Sequence, residues 1–319
     1  MGRPIAIVGA PSSIGIRPYD DGTARRLDLA PGALRQHGIA RMTAVRDHGD
    51  VVPPPYRDFV RPPGRPRNED GVAAYSRDLA ARVADAARDD AFVLLLGGDC
   101  SIVLGGLLGV RRHRPRVGLV YVDAHADFAT PESSRTGSAA SMCLALAVGR
   151  GDTSLAHLTG NGPLVQEKDV VVIGRRDDRD APWYGQDVLR ASPVLDLTHA
   201  AVRDAGPAAA ARASLDRLEA NVDGFWIHVD ADVFDPTLIP AVDSPEPDGL
   251  TLEEVADILT PLVNHPRALG MELTIYDPAL DPDRSSATRL AGLLGGVLRG
   301  VGRAVPPAGF WETLTRSRL

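Results

Sequence analysis

Three segments of this chain combine carboxylates, an imidazole and a thiol at spacings that suit cation chemistry. FVLLLGGDCS ends in Asp99 and Cys100, LVYVDAHADF carries Asp123, His125 and Asp127, and WIHVDADVFDP carries Asp230, Asp232 and Asp235. Each begins as an apolar, β-rich run and stops abruptly at acidic or metal-binding side chains. Residues at i, i+2 and i+4 point the same way on extended chain. Asp123, His125 and Asp127 are therefore expected to converge, as are Asp230 and Asp232. Four carboxylates brought together repel one another strongly unless cations neutralise them. Mostly oxygen ligands with an imidazole favour Mn²⁺, one ion or two, over a cysteine-rich zinc site. A bridging aspartate with open coordination positions would hold two ions about 3.5 Å apart and acidify a shared water. A lone DxD at a strand end is more often a cap or a surface pair. DxHxD joined by a second strand ending in DxD is much harder to explain as structure alone.

Those side chains need a frame. Strand-like runs fall at 4–9, 92–96, 117–122, 170–173, 193–196, 225–230 and 267–273, and helical periodicity at 71–89, 101–112, 207–220, 251–263 and 285–299. Apolar strands alternating with helices predict an α/β fold: a mainly parallel sheet covered on both faces, in three α/β/α layers. In such a sheet ligands bind beyond the carboxyl ends of the strands, so the three segments are expected to meet at one place. The Pro-rich stretch 52–66 and the Gly/Ser/Thr stretch 129–138 read as surface loops. With no internal repeat, residues 1–319 read as one domain.

Composition narrows the function classes. Of 319 residues, 44% are hydrophobic and 24% charged, an ordinary folded balance. Net charge is −7 with the basic residues dispersed, which disfavours nucleic acid as a partner. No apolar stretch approaches the ~18 residues of a membrane span. Two cysteines, Cys100 and Cys143, make no secreted disulfide framework. The N-terminal MGRPIAIVGAP enters a strand without a leader-like pattern. A cytoplasmic protein acting on a small molecule is the expectation.

GGDCS, DAHADF and HVDADVFDP, in this order, resemble the metal-binding signatures of the arginase and agmatinase (ureohydrolase) family, whose usual forms are GGDHS, DAHxD and SxDxDxxDP. The similarity runs from about residue 90 to Glu272. It implies an arginase-like fold, two Mn²⁺ ions sharing a hydroxide that attacks a guanidinium carbon, and a homo-oligomer, a trimer or hexamer. Carried over by position, Asp123 and Asp230 would bridge the ions. His125 and Asp232 would complete one site, and Cys100 and Asp127 the other. Asp127 would also accept a hydrogen bond from the hydroxide. Glu272, in GMELTIYDP, matches a glutamate that pairs with the substrate guanidinium. Asp177, in IGRRDDRD, matches an aspartate that helps bind a substrate amino group.

Two positions depart from the family pattern. Cys100 stands where a histidine ligand is usual, and a thiolate is a poor partner for Mn²⁺. Ala140 stands where an arginase has a proton-shuttling histidine. Both changes resemble a subgroup that hydrolyses Nω-hydroxyarginine, in which Thr136 or Ser138 would contact the extra oxygen.

Other readings are a non-catalytic arginase-like protein with a degraded metal site, a cysteine hydrolase using Cys100 as nucleophile, and a single-zinc deacylase. No paired base or His-His pair supports the last two. GAPSSIG at 9–15 lacks the GK[ST] ending of a phosphate loop. His228 is expected to turn away from the Asp230/Asp232 face, or toward a neighbouring element, and to pack.

Overall fold

Uninterrupted Val, Leu and Ile runs can be buried on both faces only inside a layered structure, and that is where they lie. The computed structural model describes residues 2–39, 42, 45–57, 61–160, 162–178 and 184–301. Among them, eight strands form one sheet: β1 (Ile5–Gly9), β2 (Val45–Asp50), β3 (Phe92–Leu96), β4 (Val117–Val122), β5 (Val170–Ile173), β6 (Leu195–Leu197), β7 (Gly224–Asp230) and β8 (Ala268–Thr274). Their order is β2-β1-β3-β8-β7-β4-β5-β6, and every pairing is parallel. The expected α/β class and parallel sheet are thus observed.

The helices are α1 (Ala30–Gln36), α2 (Glu69–Ala86), α3 (Ile102–Val110), α4 (Cys143–Ala147), α5 (Gln186–Arg190), α6 (His199–Ala205), α7 (Pro207–Glu219), α8 (Leu252–Val263) and α9 (Ser285–Val297). α2, α3 and α4 pack together, while α6, α7, α8, α9 and α1 form a second contiguous group. Residue parity puts these groups on opposite faces. Gly118 on β4 approaches Leu218 of α7, whereas Trp226 on β7 approaches Gly106 of α3. α3 is apolar all round (IVLGGLLGV) and almost wholly buried, as such a helix must be. A Cβ at Gly105 would lie 2.8 Å from Leu79, so that glycine allows α2 and α3 to touch. No helix among the described residues is long and apolar enough to cross a membrane.

The sequence reading missed β2. Its residues, VRDHGD, are largely exposed at the sheet edge, so burial imposed no apolar pattern on them. The loops expected at 52–66 and 129–138 contain no helix or strand where described, and residues 58–60 fall outside the described residues.

The topology places the chemistry. The chain passes from β3 to β4 across a gap later filled by β7 and β8. This is a switch point, and the crevice beyond the strand ends there is the usual ligand site of such sheets. β3, β8, β7 and β4 are neighbours; Asp230 ends β7, and the loops leaving β3 and β4 carry Cys100 and Asp123.

Asp99 ties the first loops together. Buried, it accepts hydrogen bonds from Ser12 Oγ (2.9 Å), Gly15 N (3.1 Å), Ser101 N (3.0 Å) and Ser101 Oγ (2.5 Å). A Cβ on Gly98 would sit 2.1 Å from Ser12 O, so only glycine allows this approach. Asp99→Ala strands buried donors that cost about 1–3 kcal/mol each. The expected loss is about 2–4 kcal/mol of unfolding free energy, read by denaturant titration of metal-free protein. Equal midpoints for variant and parent would contradict that role.

Candidate metal centre

A cavity of about 80 Å³ opens at the switch point, lined by Cys100, Asp123, His125, Asp127, Asp230 and Asp232, with Ile16, Ala140 and Ile275 as an apolar edge. Ser141, Tyr184, Asp243 and Ser244 complete its wall. A larger groove of about 510 Å³ lies among Pro54, Pro55, Pro62 and Pro66. Its wall includes the Arg65–Glu69 pair at 2.6 Å, whereas the candidate metal-binding side chains gather in the smaller cavity.

The six side chains converge as the sequence indicated, by a different backbone route. DAHAD is a bend beyond the end of β4 rather than extended chain, and Asp127 has φ +46°. Such strain in a non-glycine residue is tolerated where the surroundings enforce it, commonly at functional sites. Asp230 ends β7, and Ala231–Val233 form a 3₁₀ turn.

Two ligand clusters result. Asp123, His125 and Asp232 form one, and Cys100, His228 and Asp230 the other, with ligand atoms within 4.8 Å of one another in each. His125 Nδ1 lies 3.0 Å from Asp232 Oδ2 and 3.6 Å from Asp123 Oδ1. Asp123 Oδ1 accepts from His125 N at 2.7 Å. Its Oδ2 is buried without a hydrogen-bond partner. The Cys100 thiol donates to Asp230 Oδ2 at 2.8 Å. Asp127 lines the cavity outside both clusters, its Oδ2 accepting from Tyr121 OH at 2.6 Å and Cys143 Sγ at 3.4 Å.

Burial and crowding set the protonation. Burial, reinforced by Asp232, pushes Asp123 up to about 7. Burial, reinforced by Asp123, pushes Asp127 up to about 8. Asp230 rises well above the carboxylate range, from burial and then the Asp232 and Asp123 charges. Burial also raises Asp232, but His125 outweighs it and leaves Asp232 low. Burial alone would lower His125, yet the Asp232 charge raises it well above normal. Burial pushes the Cys100 thiol well up. In the cavity lining four carboxylates face one imidazole, His125, and the fifth carboxylate of the wall, Asp243, is already paired with Arg25. An orphaned buried oxygen and uncompensated negative charge are what a divalent cation would satisfy.

Four sequence expectations need revision. Glu272 does not line the cavity. It is fully buried on the α3 face, where its Oε1 lies 2.6 Å from His228 Nδ1. In the sheet register Glu272 sits opposite His228, two positions below Asp230, and it is Ile275, the residue just past the end of β8, that reaches the cavity. Asp177 is neither solvated nor free for ligand. Its Oδ2 accepts from Ala126 N at 2.8 Å and its Oδ1 from Arg175 at 3.0 Å. Arg176 clamps the neighbouring loop through the Asp232 and Glu246 carbonyls at 2.9 and 2.7 Å. Thr136 is likewise tied into its own loop, and Ser138 to the segment that follows β1. Thr136 Oγ1 accepts from Ser138 N at 3.3 Å and Ser138 Oγ from Arg17 N at 3.2 Å. The fourth is His228. It is packed, as expected, but it does not turn away from Asp230. Residues 228 and 230 are two apart on one strand and share a face.

The sequence reading also left Tyr121, Cys143 and Asp243 unassigned. Period-two parity with Asp123 would have flagged Tyr121, which precedes it by two, but no sequence signal marks the other two.

Comparison with known proteins agrees with this architecture. The arginase family matches residues 3–297. The arginase of Bacillus caldovelox is 30% identical over 301 residues, 92% of this chain and 97% of its own length. That of Bacillus subtilis (strain 168) is 30% identical over 289 residues, 88% and 93% of the two chains. The solved structure of the Bacillus caldovelox arginase superposes with a TM-score of 0.83 at 30% identity, covering 93% of this chain and 98% of that one.

Proposed function

This chain belongs to the arginase family, and on that footing we propose that it is a metal-dependent hydrolase cleaving an amidine-type C–N bond of a guanidino or N-hydroxyguanidino substrate. One observation carries the reading: four carboxylates and an imidazole converge on a crevice whose further wall carboxylate, Asp243, is already paired with Arg25. A divalent cation bound there supplies charge neutralisation and an acidified water. Mn²⁺ suits the Asp123/His125/Asp232 set of oxygens and imidazole. The proposed hydrolase unit spans the chain as one domain.

The chain's own residues then have separable tasks. Asp127, held by Tyr121 and Cys143, accepts a proton from the attacking water as its oxygen bonds to the amidine carbon. That proton passes to the departing amine as the C–N bond breaks. Asp177, Arg175 and Arg176 fix the two loops that present the ligands. Ser141 and Ser244 line the cavity and donate to Ser138 O and Asp243 Oδ2, which leaves their lone pairs to accept from a polar substituent, in place of Thr136 and Ser138.

The cavity edge bears on the substrate. Glu272 lies below the site and Ile275 and Ala140 at its wall, so among the described residues the cavity's carboxylates are the four strand-end aspartates and the Arg25-paired Asp243. An N-hydroxyguanidine is less basic and carries an extra oxygen for a hydroxyl to meet. The expected kcat/KM for Nω-hydroxyarginine exceeds that for arginine by about tenfold or more, within the usual worth of a proton-transfer group. Steady-state kinetics on arginine, Nω-hydroxyarginine, agmatine and guanidinobutyrate test it. Faster turnover of arginine or agmatine would remove the hydroxylated preference and leave the hydrolase reading standing.

A further inference from the structure

His228 is surrounded in a way that packing does not require. It is fully buried, and its ring stacks on Tyr121 with centroids 4.0 Å apart and planes 6° from parallel. Its Nδ1 is 2.6 Å from Glu272 Oε1, and Glu272 is fully buried as well. That carboxylate makes Nδ1 the protonated nitrogen and leaves the Nε2 lone pair facing upward. What Nε2 faces is the cluster: Cys100 and Asp230 place ligand atoms within 4.8 Å of one another and of the imidazole. Asp123 Oδ2, buried and without a hydrogen-bond partner, is 3.9 Å from Nε2. Thr274 Oγ1, at 3.5 Å from Nε2, also lies 3.3 Å from Val229 O and 3.4 Å from Asp230 Oδ2. Its single proton cannot serve all three.

A buried imidazole aimed at a thiol and two carboxylates, with a second buried carboxylate behind it, is a costly way to fill space. It is also how ligand histidines are held: a carboxylate on the far nitrogen fixes the tautomer and raises the basicity of the near one. Sulfur, imidazole and carboxylate together suit Zn²⁺ and poorly suit Mn²⁺.

We propose that His228 is a ligand of an inner, zinc-class cation held with Cys100 and Asp230, that Asp123 Oδ2 supplies the fourth donor, and that Glu272 is the positioning residue for His228. This rests on the metal-dependent reading above and adds a ligand and a metal class to it. On binding, the Cys100 thiol releases its proton to solvent and a sulfur–metal bond forms.

The test uses full-length protein stripped by chelation and titrated with Co²⁺, Zn²⁺ or Mn²⁺ alone, at limiting metal. Wild type is expected to show a near-ultraviolet thiolate-to-cobalt charge-transfer band, and to retain Zn²⁺ in preference to Mn²⁺ at the site that gives the band. Cys100→Ser removes the band. His228→Asn lowers affinity at that site by more than about 10–100-fold, the usual cost of losing an outer-shell partner alone. Glu272→Gln, whose amide oxygen can still accept from Nδ1–H, keeps the band and weakens binding within that range. Circular dichroism of the stripped proteins confirms folding, and Glu272→Gln carries the test where His228→Asn does not fold. Unchanged cobalt affinity and band in folded His228→Asn, or unchanged affinity in Glu272→Gln, overturns the proposal. Mn²⁺-dependent turnover with no thiolate band in wild type overturns it and leaves the functional reading intact. Absence of any bound metal with full turnover overturns both.

Discussion

Asp230→Asn is expected to lower turnover by roughly 10²–10³-fold or more, the scale on which loss of one preorganised electrostatic partner is felt. Asp230 ends β7 between the two clusters. Its Oδ2 takes the Cys100 thiol at 2.8 Å, and its Oδ1 takes Asp232 N at 2.9 Å. An amide keeps the shape and removes the charge, so both clusters lose attraction for a cation at once. The variant has a second, opposite signature. In stripped protein Asp230 is a crowded carboxyl raised by burial and by Asp232, so neutralising it relieves repulsion. Stripped Asp230→Asn is therefore expected to melt at or above stripped wild type, and to gain less from added metal. Elemental analysis, turnover and paired melts read all three. Full turnover, or an undiminished melting increment with metal, would contradict the assignment.

Stripped protein is expected to lose stability as pH rises from about 4 to 8, and metal is expected to reverse much of that loss. Asp123 titrates at about 7 and Asp127 at about 8 in the fold, against an ordinary value of 3.8. Over that window the folded chain holds protons that the unfolded chain has released, so unfolding free energy falls with pH. Asp230, also raised, adds to the fall. His125, raised above 6.5, contributes stability that is lost as pH climbs through its folded value, in the same direction. Asp232 is lowered and acts only below its ordinary range, where acid removes its contribution. One pKa unit corresponds to about 1.4 kcal/mol. These groups share protons, so the combined loss is a few kcal/mol rather than their sum. Metal competes with those protons and binds more tightly as pH rises. Denaturant midpoints of stripped protein that increase from pH 5 to pH 8 would contradict this.

What was legible in the sequence was what burial dictates. β3, β4, β5 and β7 are buried throughout, so their apolar runs and acidic stops announced themselves. β2 lies exposed at the sheet edge and left no such mark. Side-chain direction was legible only where the backbone continued as a strand. Parity places His228 beneath Asp230, a relation available from the sequence and misjudged. Asp127 reaches the cavity through a left-handed backbone that no spacing rule signals. Depth was not legible at all. Glu272 matches, by resemblance, a partner of the substrate guanidinium, yet the sheet register sets it below the site against His228. Asp177 matches, by resemblance, a binder of a substrate amino group, and only the fold reveals that Arg175 and Ala126 N consume its carboxylate.

The central claim is that C–N hydrolysis by this chain requires a divalent cation held by the strand-end carboxylates. Its most direct test is a single titration. Protein is stripped until elemental analysis finds no metal, then assayed for amine and urea-type product on the guanidino panel as Mn²⁺ or Zn²⁺ is returned. The account predicts no turnover in the stripped protein and recovery in proportion to metal bound per chain. Undiminished turnover by metal-free protein would contradict it.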